Sequence, residues 1–448
     1  MDKIFDYIDA REAEYVTRVM DYVRHPSISA HNIGIRHVAG LLVDMLDGLG
    51  FQTQLIETAG HPFVFGEYLV DPSLPTVLLY GHYDVQPPDP LEKWISPPFE
   101  PTIRDGRIWA RGIGDNKGQH FAQLMGIEAL LAVTGTLPCN VKFLLEGEEE
   151  IGSPQIADFV AAHREMLACD LVITSDGPLH DTGLPQVTYG VRGMASFELR
   201  AKTADRDSHS GNYGGTMPNA VWTLVNLLAT MKTPDGEITI AGLHDPIIPA
   251  TNAERAAVGA LPLDVDGFMA ELGLKHLDAP ANVPFYDRLM FRPTLTINGL
   301  HGGYGGEGTK SVIPSEAFAK CDIRLVEAMT PDQVFDCVRA HVAIHAPDVE
   351  FIAHGGMLPS KTSLESPYAR AITDGIRAAR GVEPLHIPSA GGSLPDYVFT
   401  KILGVPAFVV PYANHDEANH APNENLKLDL FHAGIRTGAA MLTKIGGQ

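Results

Sequence analysis

The stretch Thr76-Val77-Leu78-Leu79-Tyr80-Gly81-His82-Tyr83-Asp84 is a short apolar run that stops at a glycine and passes directly into a histidine and an aspartate. Two further runs, Val141-Lys142-Phe143-Leu144-Leu145 and Leu171-Val172-Ile173-Thr174, follow it, with helical apolar spacing near residues 118–134 before the first of them and near 153–166 before the second. Strand and helix patterns alternating in this way predict an α/β chain, with a doubly wound, mostly parallel sheet and helices on both faces. Ligands of such sheets gather at the carboxyl ends of the strands. Each run ends there in candidate ligands: His82 and Asp84, then Glu149 and Glu150, then Asp176. Upstream, Phe5, Ile8, Tyr15, Val16, Val19, Met20 and Val23 recur at helical intervals, so residues 4–23 are expected to form a helix packed on the sheet.

From about residue 188 the texture changes. Strands are expected over 195–202, 294–298, 317–326 and 349–354, and helices over 218–231 and 331–344. That order suggests a small α+β domain resembling the ferredoxin-like sandwich, with an irregular, proline-rich insertion near 232–293. Helical spacing returns near 367–380, and a last strand over 407–411 precedes His420. The simplest organisation is one domain inserted into another, with residues 1–187 and 358–448 as the catalytic body and 188–357 as the insert.

A chain of 448 residues that is 45% hydrophobic and 20% charged can bury a large core and suggests two domains. Its formal net charge of −22 argues against nucleic acid and anionic membranes as partners, since both are bound through Lys and Arg. A small-molecule partner fits better. No stretch approaches the roughly 20 apolar residues of a membrane span, and residues 1–24 carry charge throughout, so a soluble, cytoplasmic protein is expected. Cys139, Cys169, Cys321 and Cys337 form no CxxC pair and are expected to be buried thiols.

His82-Tyr83-Asp84 places an imidazole and a carboxylate on one side of an extended segment, where one ring nitrogen can bind a metal while the carboxylate holds the other. An isolated HxD would more often be a satisfied strand-end histidine. Asp115 lies in the glycine-rich run Arg111-Gly112-Ile113-Gly114-Asp115-Asn116-Lys117-Gly118, equally readable as a plain turn; no GxxxxGK[ST] pattern supports phosphate binding. Glu146-Gly147-Glu148-Glu149-Glu150 packs four carboxylates into five positions after a strand, a concentration that cations would relieve. Asp176-Gly177-Pro178 and His420-Ala421-Pro422-Asn423-Glu424 are unremarkable alone. Taken together, oxygen and imidazole ligands, a carboxylate able to bridge and a spare glutamate are what a two-metal hydrolase needs.

The ordered set HxD, DxKG, EExGS, SD and HxxNE closely resembles the dinuclear metallohydrolase superfamily of carnosinase-like dipeptidases, acetylornithine deacetylase, succinyl-diaminopimelate desuccinylase and glutamate carboxypeptidase. The resemblance spans nearly the whole chain. It implies that Asp115 bridges two metals, one also held by His82 and Asp176 and the other by Glu150 and His420, with Glu149 as general base and Asp84 orienting His82. It also implies a cis Asp115–Asn116 bond. The segment Asp207-Ser208-His209-Ser210-Gly211-Asn212-Tyr213-Gly214-Gly215 is similar to that of the carnosinase-like branch, whose histidine polarises the scissile carbonyl in the partner subunit's site. Ser311, Arg324, His354, Gly392 and Ser393 match substrate-contacting segments of the same branch, although Arg324 could equally be a structural ion-pair partner.

The resemblance therefore implies a homodimeric amidohydrolase with two Zn²⁺ per chain, Mn²⁺ or Co²⁺ being possible with the same donors, acting on a small dipeptide or N-acyl amino acid. An N-acetyl or N-succinyl amino-acid deacylase is the alternative, and an inactive binding dimer a weaker one. One departure bears on this choice: the dipeptidases carry glutamate before GGS, where this chain has Ala390. Without that charge, N-acylated substrates are expected to be cleaved at least as well as free dipeptides, unless Asp396 or Glu417 supplies the anion instead.

Overall fold

Side chains alternate across a strand, so a strand buried on both faces must be apolar at every position. In the computed structural model, which describes residues 1–278 and 283–447, the strand Thr76–His82 meets that condition over Val77–Tyr80. Val77 and Leu79 enter one core with Phe121 and Met125 of the helix Lys117–Thr134 and Ile435 of the helix Leu428–Ile445. Leu78 and Tyr80 enter another with Ile156, Phe159 and Val160 of the helix Ile156–Ala162. Full burial of each such aliphatic or aromatic side chain stabilises the fold by about 1.5–3 kcal/mol. The sheet is thus covered on both sides.

Its eight strands run in the spatial order Gln52–Ile56, Phe63–Tyr68, Asn140–Glu146, Thr76–His82, Leu171–Thr174, Ala407–Val409, Gln186–Thr188 and Leu385–Ile387. The four central strands are mutually parallel, and an antiparallel hairpin closes the first edge. The helix Lys117–Thr134 is buried nearly all round because the helix Leu428–Ile445 covers its far side. A Cβ at Gly126 would lie 2.8 Å from the Ile435 carbonyl oxygen, so this close crossing requires glycine.

The second unit uses the opposite pattern. In the strand Gly193–Lys202, Ala195, Phe197, Leu199 and Ala201 face a core shared with the helices Ala220–Met231 and Pro331–His345, whereas Ser196, Glu198 and Arg200 face away. Thr330 caps the second helix by accepting from the Gln333 amide, with Pro331 at the first helical position. With the strands Thr294–Gly302, Glu316–Leu325 and Val349–Met357 the chain order is βαββαβ, and the antiparallel sheet runs second, third, first, fourth, the ferredoxin-like arrangement expected. The chain crosses into this unit through Gly190–Val191 and returns through Ser360–Lys361, and these two segments pair with each other.

Several expectations are corrected. Residues 4–23 form two helices, Asp2–Asp9 and Glu12–Val23, and they pack on the helix Lys117–Thr134. The turn between them places Asp9 where His432 and Arg436 donate to it. The helix expected near 153–166 is confined to Ile156–Ala162. The insertion near 232–293, of which 279–282 lie outside the described residues, is irregular only in part: it holds the helices Asn252–Gly259, Val265–Leu272 and Phe285–Phe291, the first under a complete Thr251–Glu254 capping box. Cys139 and Cys321 are buried, but Cys169 and Cys337 are only partly so; all four are free thiols. No described helix is long and apolar enough to cross a membrane.

Candidate metal centre

Because His82 is the last residue of a central strand, its ring leaves the sheet at the carboxyl edge, fully buried. Nδ1 lies 3.3 Å from Oδ1 of Asp84, and Nε2 lies 3.0 Å from Oδ1 of Asp115 and 3.6 Å from Oδ2 of Asp176. The Asp84 carboxylate also accepts the backbone N–H groups of Glu149 (3.2 Å) and Glu150 (3.1 Å). One buried side chain therefore sets both the imidazole and the turn after the neighbouring strand. Glu150 is steadied in turn by the backbone N–H and side-chain amide of Gln86, at 3.1 and 3.0 Å.

The other oxygen of Asp115 faces His420, whose Nε2 lies 3.0 Å from Asp115 Oδ2 and 3.0 Å from Glu150 Oε2. His420, Ala418 and Asn423 all have positive φ, a conformation that costs non-glycine residues about 1–3 kcal/mol each unless the surroundings enforce it. Glu424 enforces it. Its buried carboxylate accepts from the backbone N–H groups of Gly112, Gly114 and Asp115 at 2.8–3.0 Å and from Arg111 Nη1 at 2.8 Å. The loops carrying Asp115 and His420 are thereby tied together, and the Asp115–Asn116 bond is cis.

Two groups of ligand atoms result, His82–Asp115–Asp176 and Asp115–Glu150–His420, each with its atoms within 4.8 Å of one another and with Asp115 in both. Hydrogen bonds to Asp115 and Glu150 raise His420 to about 11. Burial opposes protonation of His82, yet the surrounding carboxylates still raise it well above the ordinary histidine range. Burial raises Glu149, and burial followed by Asp115 raises Glu150 to about 7. Carboxylates crowded in this way call for positive charge. An oxygen and nitrogen donor set without sulfur suits divalent zinc, manganese or cobalt, so the residues present fit a metal centre.

Not every predicted residue joins it. Of the four clustered glutamates, Glu146 turns back into the core, accepting from the Tyr80 hydroxyl (2.6 Å) and Ser153 Oγ (3.2 Å), and Glu148 sits beneath Gly60; only Glu149 and Glu150 face the centre. Relief of their charge by cations thus applies to half the run. Asp396 is buried against Thr174 Oγ1 at 2.9 Å. Glu417 is buried with neither carboxylate oxygen hydrogen-bonded.

In the inserted unit, Arg324 Nη1 donates to Ser393 Oγ at 2.8 Å and pairs with Asp322 at 3.5 Å. The backbone carbonyl of Gly392 accepts from the Arg192 amide at 3.1 Å. His354 is the extra residue of a β-bulge, with Nε2 3.3 Å from Glu198. His209 and Ser311 lie on exposed segments outside both ligand groups. Sequence reasoning missed Gln86, Arg192 and the clamping role of Glu424; only Glu424 lay inside a recognised motif.

Carboxylates, a buried imidazole from His82 and a half-exposed one from His420 converge at the ends of neighbouring parallel strands around one shared aspartate, the arrangement of a metal-dependent hydrolase of the two-metal kind. The chain belongs to peptidase family M20/M25/M40, whose sequence model matches residues 78–444. It is 28% identical to the rat Beta-Ala-His dipeptidase over 99% of this chain and 95% of that one. A Cys-Gly metallodipeptidase of Schizosaccharomyces pombe is 30% identical over 97% of this chain and 96% of that protein. Among solved structures, an M20 family metallo-carboxypeptidase from Sulfolobus solfataricus superimposes with a TM-score of 0.91 at 34% identity, covering 97% of this chain and all of that one.

Proposed function

We propose that this protein hydrolyses the peptide bond of small dipeptides at a centre of two divalent cations, zinc being the first candidate. The observation that carries the reading is Asp115, which turns one carboxylate oxygen to each ligand group. When bound, the cations polarise the scissile carbonyl and acidify water. Glu149, whose backbone N–H is held by Asp84, takes the proton of the attacking water and passes it to the leaving amine. Arg324 pairs with the substrate carboxylate, and Ser393, Gly392, His354 and Ser311 line its binding region. His209 of the partner subunit steadies the developing oxyanion.

A homodimer built through residues 188–357 accounts for the exposure of His209. The outer edge strand Thr294–Gly302 pairs only with Glu316–Leu325 among the described residues, and it carries exposed Ile297 and Leu300. Trp222 and Tyr304 are exposed on neighbouring segments. An unprotected apolar edge of this kind favours association.

The experiment is reconstitution with Zn²⁺, Mn²⁺ or Co²⁺, followed by elemental analysis and turnover of free dipeptides, their N-acetylated forms and N-acyl amino acids side by side. Close to two metals per chain and chelator-sensitive cleavage of dipeptides are expected. Active protein without stoichiometric metal would sink the reading, and exclusive cleavage of N-acyl amino acids would replace dipeptidase with deacylase.

A further inference from the structure

Arg192 stands where the chain crosses from the large sheet into the inserted unit, and it is almost fully buried. Its Nε and Nη2 both donate to the Gly391 carbonyl, at 2.9 and 2.7 Å, and its backbone N–H donates to the Gly392 carbonyl at 3.1 Å. Gly190 adds a fourth bond by accepting from the Ala390 amide at 2.8 Å. The Gly391–Ser393 loop is thus fastened to the crossing point, with Ser393 held out to Arg324 on the inserted unit.

The charge balance there is unusual. Among the described residues no carboxylate lies within 4 Å of Arg192, and Arg324 has only Asp322, at 3.5 Å. Two guanidiniums, one of them buried, share a single aspartate. Burial and then Arg324 lower the Arg192 pKa to about 10. A buried cation is expensive unless paired, and Arg192 has only neutral oxygens, so the region is left with an excess positive charge at the loop.

We infer that Arg192 is a positioning and specificity-determining residue, which fixes the Gly391–Ser393 loop and, together with Arg324, supplies the positive field that selects substrates ending in a free carboxylate. This inference rests on the dipeptidase reading and deepens it. Arg192 acts through the loop and through its field, while Arg324 makes the contact.

The test compares kcat and KM for one dipeptide and its C-terminal amide in the metal-loaded unmodified protein, Arg192→Met and Arg192→Lys. The unmodified protein should prefer the acid. Arg192→Met should lose about tenfold of that acid-to-amide preference, the scale of one charge-assisted interaction, mainly through KM and with metal content unchanged. Arg192→Lys keeps the charge but not the two-pronged grip, so it should retain the preference and raise KM for both substrates. An unaltered preference in folded Arg192→Met overturns the inference while leaving the hydrolase reading intact. Should Arg192→Met fail to fold, an unaltered KM in Arg192→Lys overturns it instead. If the unmodified protein cleaves neither substrate, both readings fall together.

Discussion

Replacing Glu424 by alanine tests whether the metal centre depends on the clamp beneath it. The substitution deletes an acceptor of three backbone N–H groups and of Arg111 Nη1, and it leaves Arg111, 1% exposed, without a carboxylate. Breaking a buried ion pair by removing one partner costs about 3–5 kcal/mol, a large share of the 5–15 kcal/mol that typically separates folded from unfolded chains. With the clamp gone, the positive-φ residues Ala418, His420 and Asn423 are free to relax. His420 then leaves its position between Asp115 and Glu150, and metal affinity should fall about 10–100-fold, the usual effect of removing a group that orients a ligand. Glu424→Gln retains one acceptor oxygen but sets an NH₂ group against N–H donors, so it should fall between. The assay is urea unfolding together with elemental analysis after equilibration at fixed free metal. A Glu424→Ala protein whose unfolding free energy stays within about 1 kcal/mol of the parent, and whose metal titration is unchanged, would refute the argument.

Glu149→Gln should keep its metal and lose at least 10²–10⁴-fold in kcat, whereas Glu150→Gln should lower metal occupancy; elemental analysis paired with turnover distinguishes them, and the reverse pattern would exchange their roles. Mixing Glu149→Gln chains with His209→Ala chains should restore part of the activity, because a heterodimer contains one site with both residues intact; verified heterodimers without rescue would place His209 outside catalysis in the partner. Burial raises the Asp396 carboxyl to about 7, so the folded chain holds a proton that the unfolded chain releases near pH 4. Between about pH 4 and 7 the folded state binds more protons, so this group's contribution to stability declines as pH rises through that window. Asp396→Asn should flatten the decline in urea midpoints measured at equal metal load, and an identical slope in both proteins would contradict it.

What the sequence revealed was local. Thr76 to Tyr80 are apolar at nearly every position because both faces of that strand are covered, and this is visible without knowing by what. His82, Asp115, Glu150, Asp176 and His420 became legible as candidate ligands only as an ordered set, through the family resemblance, since Asp176 and His420 are unremarkable one by one. The long-range geometry was less so. Nothing in the spacing of Ile8 and Tyr15 announces the turn between them, because it is fixed by contacts of Asp9 with residues more than 400 positions away. Glu146 and Glu149 look alike in sequence, yet strand alternation sends one into the core to meet Tyr80 and releases the other into the turn that Asp84 caps. Arg192 was silent for the same reason: its partners are the carbonyls of a loop 199 residues downstream, and carbonyls carry no sequence signature.

The spread of the ligands along the chain follows from the order of the sheet. Glu150 follows the strand Asn140–Glu146, His82 ends Thr76–His82, Asp176 follows Leu171–Thr174, and His420 lies beyond Ala407–Val409; in space these four strands are consecutive and parallel. Parallel neighbours present their carboxyl ends at the same edge, so residues remote in sequence arrive within reach of Asp115 without any long detour. The last of these strands can be supplied only after the chain has built the unit between Gly193 and Met357 and returned through the Ser360–Lys361 crossing. The second ligand group therefore draws Glu150 from before that unit in the chain and His420 from after it. The chain that carries His420 thus leaves and re-enters the body at one place, the short paired crossing of Gly190–Val191 with Ser360–Lys361 beside which Arg192 stands.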